Sequence, residues 1–161
     1  MFKQFNAILF NWSHDLADKN LNIESIIQFG STCKEPIKKE TDVDLLYILN
    51  EKKPLNRFES YALTKNWDAD LENKVKIFKD HNIIVNSHTK VIAQLNHLSP
   101  MYLDFMTHGK ILFDRTDTGK RLFNNIQSWI AKTGAQRIQK GNLWYWIYDD
   151  QDPKLPVNFK F

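Results

Sequence analysis

The sequence predicts a mixed α/β (α+β) fold in which helices pack against a β-sheet. Apolar residues recur at spacings of three and four in several long, charged segments, which is typical of amphipathic helices. Short runs rich in Ile, Val and Leu alternate with these segments and read as strands. With 161 residues, 42% hydrophobic and 25% charged, the chain has the composition of one globular domain. We expect this domain to span residues 1–133, and a helical, aromatic C-terminal extension over 134–161 to pack on it or on a partner.

The first half of the chain alternates predicted helices and strands. Residues 2–20 carry an apolar stripe at helical spacing, and the isoleucine-rich run 23–29 predicts a strand. Residues 31–40, with Pro36 and many charges, predict a surface loop or short helix. The run 42–49 becomes continuously apolar, which predicts a central strand covered on both faces. Residues 56–79 predict a long helix.

The second half continues this alternation with shorter elements. Residues 82–86 predict a third strand, and 90–97 predict a short helix. A further helical segment begins at Pro100 and stops near Gly109, and a brief strand follows over 111–113. Residues 118–132 predict an amphipathic helix, because their apolar residues share one face.

The composition also excludes several classes of protein. A single cysteine, Cys33, excludes a disulfide framework and a cysteine-based zinc site. The N-terminus lacks a signal-peptide layout, and no apolar run approaches the roughly 20 residues that span a membrane. The net charge of +3 does not indicate a dedicated nucleic-acid binder. We therefore expect a cytoplasmic protein that has no membrane segment.

The most informative motif joins the end of one predicted strand to the start of the next. Gly30-Ser31 closes the first strand, and Thr41-Asp42-Val43-Asp44-Leu45 opens the second. Because strand side chains alternate, Asp42 and Asp44 point to one face and their oxygens can converge on a divalent cation. A Gly-Ser turn offers backbone N–H groups and a hydroxyl, which suit a phosphate. Metal and phosphate groups together predict phosphoryl or nucleotidyl transfer.

The interval from Gly30-Ser31 to Asp42-x-Asp44 resembles that of the small nucleotidyltransferases of the polymerase-beta superfamily. The polar residue before the first acid, Thr41, and the leucine after the second, Leu45, also match. A second segment, from Met101 to Phe113, is similar to the family's helix, Gly-Lys and apolar strand. The resemblance covers roughly residues 20–115.

This resemblance implies a mixed sheet with helices on one side and a Mg²⁺ (or Mn²⁺) site made by Asp42 and Asp44. Gly30 and Ser31 would bind the triphosphate of a nucleoside triphosphate, and Lys34 could supply a positive charge to it. A nucleoside monophosphate would pass to a hydroxyl on a protein, an RNA end or a small molecule. Many small relatives work beside a helical partner protein in toxin–antitoxin pairs, so a partner of that kind is also implied.

The chain departs from the family pattern at two places. Glu35 stands where many relatives have glycine. The third carboxylate of active members has no evident counterpart, since Asn82 is its candidate position, with Asn86 and Asp80 as alternatives. An amide can offer a carbonyl oxygen to a cation but carries no charge and is no base. A degenerate module that binds nucleotide or a partner without turnover is therefore the rival hypothesis, ahead of a plain RNA-binding domain.

For two further groups of residues, the sequence leaves alternative interpretations open. Lys34, Lys38 and Lys39 can form a solvated face, with a phosphate role open for Lys34. The aromatic run 144–148 can stack bases beside Arg137 and Lys140, or it can be core or a partner contact.

Overall fold

The structure, a computed structural model, describes residues 1–34, 36–96, 98–141 and 143–148. Glu35 and residues 149–161, which enter the sequence predictions above, therefore lie outside the described residues. The described helices and strands follow one another as α1 (Phe2–Lys19), β1 (Ile23–Phe29), β2 (Glu40–Leu49), α2 (Arg57–Val75), β3 (Asn82–Val91), α3 (Pro100–His108), β4 (Lys110–Asp114), α4 (Thr118–Thr133), β5 (Gln136–Lys140) and β6 (Leu143–Ile147). Short 3-10 turns at Ser31–Cys33 and Ile92–Asn96 follow β1 and β3.

The first four strands form one mixed sheet in the order β3-β2-β1-β4. β1 is antiparallel to both β2 and β4, whereas β2 and β3 run parallel. The predicted mixed α/β fold is confirmed, as are the extents of α1 and α4 to within a residue at each end.

Helices cover both faces of this sheet. Along β2 the buried side chains alternate between two cores: Leu45 and Tyr47 pack with α1 and α2, and Leu46 and Ile48 pack with α3 and α4. The prediction that this apolar run is covered on both faces is confirmed. The expectation of helices on one side only, which the family resemblance implied, is wrong for this chain, because β1 and β2 are apolar on both faces and each face needs a cover.

β3 is longer than predicted, because it continues to Val91 and includes the first two residues of the short helix expected over 90–97. Most of that expected helix is present as the 3-10 turn Ile92–Asn96. β3 pairs with β2 along its whole length, from Glu40 opposite Asn82 to Leu49 opposite Val91. The second half of β3 is polar, so the sequence pattern does not indicate a strand there. Its polar side chains form hydrogen bonds with α2. Ser87 donates a hydrogen bond of 2.6 Å to Asp68, and the hydroxyls of Thr89 and Ser60 lie 2.7 Å apart.

α2 ends four residues earlier than predicted. The helix stops at Val75, and a turn follows in which the N–H of Phe78 donates to the carbonyl of Val75. This turn brings the Phe78 ring back to within 6.1 Å of Phe5 on α1. Phe78, which the sequence placed at the end of the predicted helix, therefore packs on the core of α1 and α2 from a turn.

The C-terminal extension is a β-hairpin over its described part, not the helical segment that the sequence predicted. β5 and β6 pair antiparallel, and Gly141 has a φ of +62° between the strands, which glycine adopts without strain. Trp146 and Tyr148 pack on the α3/α4 core, and the Tyr148 ring meets Trp129 edge-on at 5.2 Å. The division into residues 1–133 and 134–161 stays a prediction.

Within the described residues, no helix combines the length and the apolar character that crossing a membrane requires.

Candidate active site

The Gly-Ser turn lies against the second aspartate of β2. Gly30 has a φ of +78°, and a Cβ placed on it would collide with Oδ2 of Asp44. Only glycine lets the backbone come this close to the carboxylate. The turn then tightens into the 3-10 segment, in which the N–H of Cys33 donates to the carbonyl of Gly30. The two halves of the sequence motif therefore form one site.

Asp42 and Asp44 lie on the face of β2 that α3 and α4 cover further along. Asp42 is exposed, whereas Asp44 is half-buried between its strand neighbours Phe29 on β1 and Asn86 on β3. The Asn86 side chain donates a hydrogen bond of 3.1 Å to Oδ1 of Asp44. This contact orients the carboxylate at the end of the sheet where the buried core stops.

The environment of Asp44 favours neutralisation of its charge. Burial raises the pKa of this carboxyl group, and the nearby charge of Asp42 raises it further. The Asn86 hydrogen bond and the charge of His88 act in the opposite direction. A half-buried carboxylate beside a second carboxylate is a typical environment for a bound cation.

Two adjoining cavities meet at the Gly-Ser turn. The acidic cavity, about 540 Å³, is lined by Ser31, Lys38, Glu40, Thr41, Asp42, Asp44, Asn82 and Ile84. The basic cavity, also about 540 Å³, is lined by Gly30, Ser31, Lys34, Pro36, Lys38, Thr41, Asp104, Thr107, His108, Arg137 and Trp144. Ser31, Lys38 and Thr41 belong to both, and the hydroxyls of Ser31 and Thr41 lie 3.3 Å apart. Both volumes are in the range of small-molecule sites.

The sequence-predicted residues divide between these two cavities. Asp42 and Asp44 line the acidic cavity, Gly30 and Lys34 line the basic one, and Ser31 lines both. The identification of these five residues as catalytic, metal-binding or nucleotide-binding stays a prediction.

The candidate positions for a third acid are neutral amides on β3. Asn82 lies opposite Glu40 and lines the acidic cavity, whereas Asn86 lies opposite Asp44 and contacts it. Asp80 is exposed in the turn that precedes β3. Over the described ranges, no group of three or more His, Cys, Asp or Glu side chains is placed to hold a metal ion. Mg²⁺ fits the residues present nonetheless, because it commonly takes one or two carboxylates and completes its shell with substrate phosphates and water.

Sequence reasoning did not bring the residues of the basic cavity together. It placed Lys38 on a solvated face and Arg137 beside the aromatic run 144–148, and it gave no site role to His108. Arg137 and Trp144 reach the Gly-Ser turn because β5 and β6 fold back onto the α3/α4 core. The sequence signal for the hairpin is the Gly141-Asn142 pair between the runs 136–140 and 143–147.

Cys33 belongs to the interior and not to the chemistry of the site. Its side chain is buried, and burial raises the pKa of its thiol to about 12, although the charge of Lys110 lowers it somewhat. The thiol therefore stays protonated near neutral pH and serves as a small packed group.

The chain is similar to one described protein family and to several solved structures. The protein-family description "Polymerase beta, Nucleotidyltransferase" matches residues 14–118. Among solved structures, similarity extends to a toxin–antitoxin with AMP-PNP, at 16% identity and a TM-score of 0.42, covering 76% of this chain and 90% of that one. It also extends to a tri-AMPylated Shewanella oneidensis HEPN toxin in complex with MNT antitoxin, at 15% identity and a TM-score of 0.40, covering 82% and 92%. No curated protein sequence matches the chain. The family match spans well over half of the chain, includes the Gly-Ser turn and both aspartates, and shows that the chain belongs to the polymerase-beta nucleotidyltransferase family.

Proposed function

We propose that this protein transfers a nucleoside monophosphate from a nucleoside triphosphate to a hydroxyl acceptor, with Mg²⁺ or Mn²⁺ bound by Asp42 and Asp44. The observation that carries the proposal is the approach of Gly30 to Asp44, so close that a Cβ would collide with the carboxylate. A turn suited to phosphate and a carboxylate pair suited to a cation then share one site. Membership of the nucleotidyltransferase family supports the same chemistry.

The metal, when bound, would neutralise charge on the phosphates and on the departing pyrophosphate. The chain's own residues would bind the phosphates and accept the proton of the acceptor. Ser31 and the backbone N–H groups beside it would bind the phosphates beyond the one transferred, and Lys34 and Lys38 would offset their charge. The acceptor oxygen forms a bond to the α-phosphorus as the α–β anhydride bond breaks. Its proton passes to one of the two carboxylates, and pyrophosphate leaves.

The acceptor that we propose to test first is a hydroxyl on a helical partner protein of a toxin–antitoxin pair. The family resemblance suggests this class, and RNA ends and small molecules are the other two. The exposed, open acidic cavity sets no narrow limit on the size of the acceptor. A search in lysate therefore needs to cover all three classes.

The experiment is incubation with Mg²⁺ or Mn²⁺ and each labelled nucleoside triphosphate in lysate from the source cell. We expect wild-type protein to label a discrete product, and Asp42→Asn or Asp44→Asn to reduce labelling by about a hundredfold or more, because each removes a carboxylate that would bind the metal. The matched control is Asp18→Asn, the same change at an exposed position on α1, which should label normally. Equal labelling by the Asp42 and Asp44 variants and wild type would contradict the proposal.

A second candidate is a nucleotide-binding module without turnover, and the Asn86 contact with Asp44 favours it. An amide stands where a third carboxylate could stand, so the metal site would rest on two acids. This candidate predicts metal-dependent nucleotide binding with no labelled product under any condition above.

The variant Asn86→Asp tests whether the metal site lacks a third carboxylate at this position. We expect it to lower the melting temperature without metal, because a new carboxylate would face Asp44, and to give a larger Mg²⁺-induced rise than wild type. Asn82→Asp, four residues earlier on the same strand and opposite Glu40, is the matched comparison and should show a smaller rise. A larger rise for Asn82→Asp would instead put the third ligand position at Asn82.

A further inference from the structure

The β5–β6 hairpin lies beyond residues 14–118, the part of the chain that the family description covers. Two of its side chains nevertheless line the basic cavity that starts at Gly30 and Ser31. Arg137 comes from β5 and Trp144 from β6, on neighbouring positions of the ladder, since Arg137 pairs with Trp146 and Gln139 with Trp144. The hairpin therefore adds a wall to the candidate active site.

Arg137 has an aromatic contact, and the described residues give it no anionic partner. Its guanidinium carbon lies 4.0 Å from the centroid of the Trp144 ring, and its Nε is buried without a hydrogen-bond partner among those residues. In the part of the chain that the structure describes, no carboxylate lies within salt-bridge distance of this guanidinium. A buried guanidinium N–H without an acceptor is costly, and an anionic ligand would satisfy it.

The surroundings of Arg137 are electropositive. Among the described residues, Lys34 and Lys38 also line this cavity, and Asp104 supplies one carboxylate. The pKa of His108, which also lines the cavity, is lowered by burial and by the positive charges of Lys34 and Arg137. A cavity with this excess of positive charge suits a polyanion.

We propose that Arg137 binds the terminal phosphates of the nucleoside triphosphate and that Trp144 is the positioning residue that orients its guanidinium. This rests on the proposed function, because the transferred phosphate is taken to lie at Asp42 and Asp44. The polyphosphate then continues past Ser31, which both cavities share, into the basic cavity. A planar guanidinium can bind two phosphate oxygens at once, which a lysine cannot do.

The test is the affinity of the full chain for ATP, ADP, AMP and inorganic tripolyphosphate, measured by calorimetry with Mg²⁺ and, for tripolyphosphate, also without it. Arg137→Ala should weaken binding of ATP and tripolyphosphate by about tenfold or more and leave AMP unchanged, because AMP has no terminal phosphates. The matched control is Lys140→Ala, which removes one positive charge from an exposed position of the same strand. It should leave all four affinities near wild type.

Three more variants distinguish effects on positioning and folding from effects on phosphate binding. Arg137→Lys keeps the charge and most of the packing, so it should fold like wild type yet recover only part of the ATP affinity. Trp144→Ala should reduce the preference for ATP over ADP, and Trp144→Phe should restore it, because a phenyl ring can also support the guanidinium. A purely structural role for Trp144 would change the melting temperature without changing this preference.

The possible outcomes distinguish this proposal from the proposed function. If wild type prefers ATP over ADP and Arg137→Ala keeps that preference, the role of Arg137 is overturned and the proposed function stands. If no labelled product forms but tripolyphosphate binding depends on Arg137, the proposed function fails and the phosphate site stands. If wild type binds neither ATP nor tripolyphosphate, the phosphate site is overturned.

Discussion

Gly30 is the residue whose replacement tests the geometry of the site most directly. Gly30→Ala would place a methyl group against Oδ2 of Asp44 at a φ of +78°. We expect a loss of about 1–3 kcal/mol in the free energy of unfolding from backbone strain and the displaced carboxylate. Nucleotide binding should weaken with it, as measured by urea unfolding and by titration of ATP with Mg²⁺.

The control for this variant is Gly134→Ala at the end of α4. Gly134 also has a positive φ, of +65°, but no atom of the described residues lies within 4 Å of a Cβ placed there. This change should cost about 1 kcal/mol of stability and leave ATP affinity unchanged. If both variants lose ATP affinity equally, strain at a turn and not contact with Asp44 explains the effect.

The residues of the site differ in how far the sequence could identify them. The segment from Gly30 to Asp44 is short and contains both a turn and a strand, so local rules bring its polar groups to one place. Arg137 is distant from this segment in sequence, and its position depends on how the hairpin packs. No local pattern carries that information, and the same holds for His108 at the end of α3.

Among the elements, β3 shows how tertiary partners override local sequence. Its second half, Ser87 to Lys90, is polar, and the sequence predicted that the strand ends before it. Parallel pairing with β2 and hydrogen bonds to α2 keep it extended. Glu72 of α2 also accepts a hydrogen bond of 3.0 Å from the backbone N–H of Val85. α2 therefore satisfies groups on β3, the strand at the edge of the sheet, that would otherwise be unpaired.

The contact between α2 and the sheet should make stability depend on pH. Asp68 accepts hydrogen bonds from Tyr47 (2.9 Å) and Ser87 (2.6 Å), which lower the pKa of its carboxyl group, but burial raises that pKa more strongly. The folded chain thus binds a proton at Asp68 at a higher pH than the unfolded chain does. Its contribution to stability is fully present below the unfolded pKa of about 3.9 and is lost as pH rises through the folded pKa.

Asp68→Asn removes this titration, so the free energy of unfolding should fall less steeply with rising pH above about pH 4 than in wild type. The charge of Glu72, on the same helix, also raises the pKa of Asp68. Asp68 lines a cavity between α2 and β3, and the charged or titratable residues Arg57, His88 and Lys90 line it too. The slope of urea stability against pH is therefore compared with that of Asp18→Asn, at an exposed position of α1, which should match wild type. Equal slopes for Asp68→Asn and wild type would refute the assignment.

For the molecule as a whole, β2 joins the two cores that lie on either side of the sheet. Leu45 and Leu46 are adjacent and fully buried, yet the first packs with α1 and α2 and the second with α3 and α4. A strand shared by both layers couples their stability, since neither layer can keep its packing once β2 has left the sheet. The candidate site lies at the start of this strand, so it depends on both layers.

We expect Leu45→Ala and Leu46→Ala each to lower the free energy of unfolding by about 2–5 kcal/mol, because each leaves a cavity in a closely packed core. Both variants should unfold in one transition, with far-ultraviolet circular dichroism and tryptophan fluorescence changing together in urea. The control Leu21→Ala, at a position that is 74% exposed, should stay within about 0.5 kcal/mol of wild type. Separate transitions in Leu46→Ala would mean that the α3/α4 layer, with the hairpin packed on it, can open while the α1/α2 layer stays folded. In that case the basic cavity, which α3 and the hairpin help to line, would be lost before the acidic cavity.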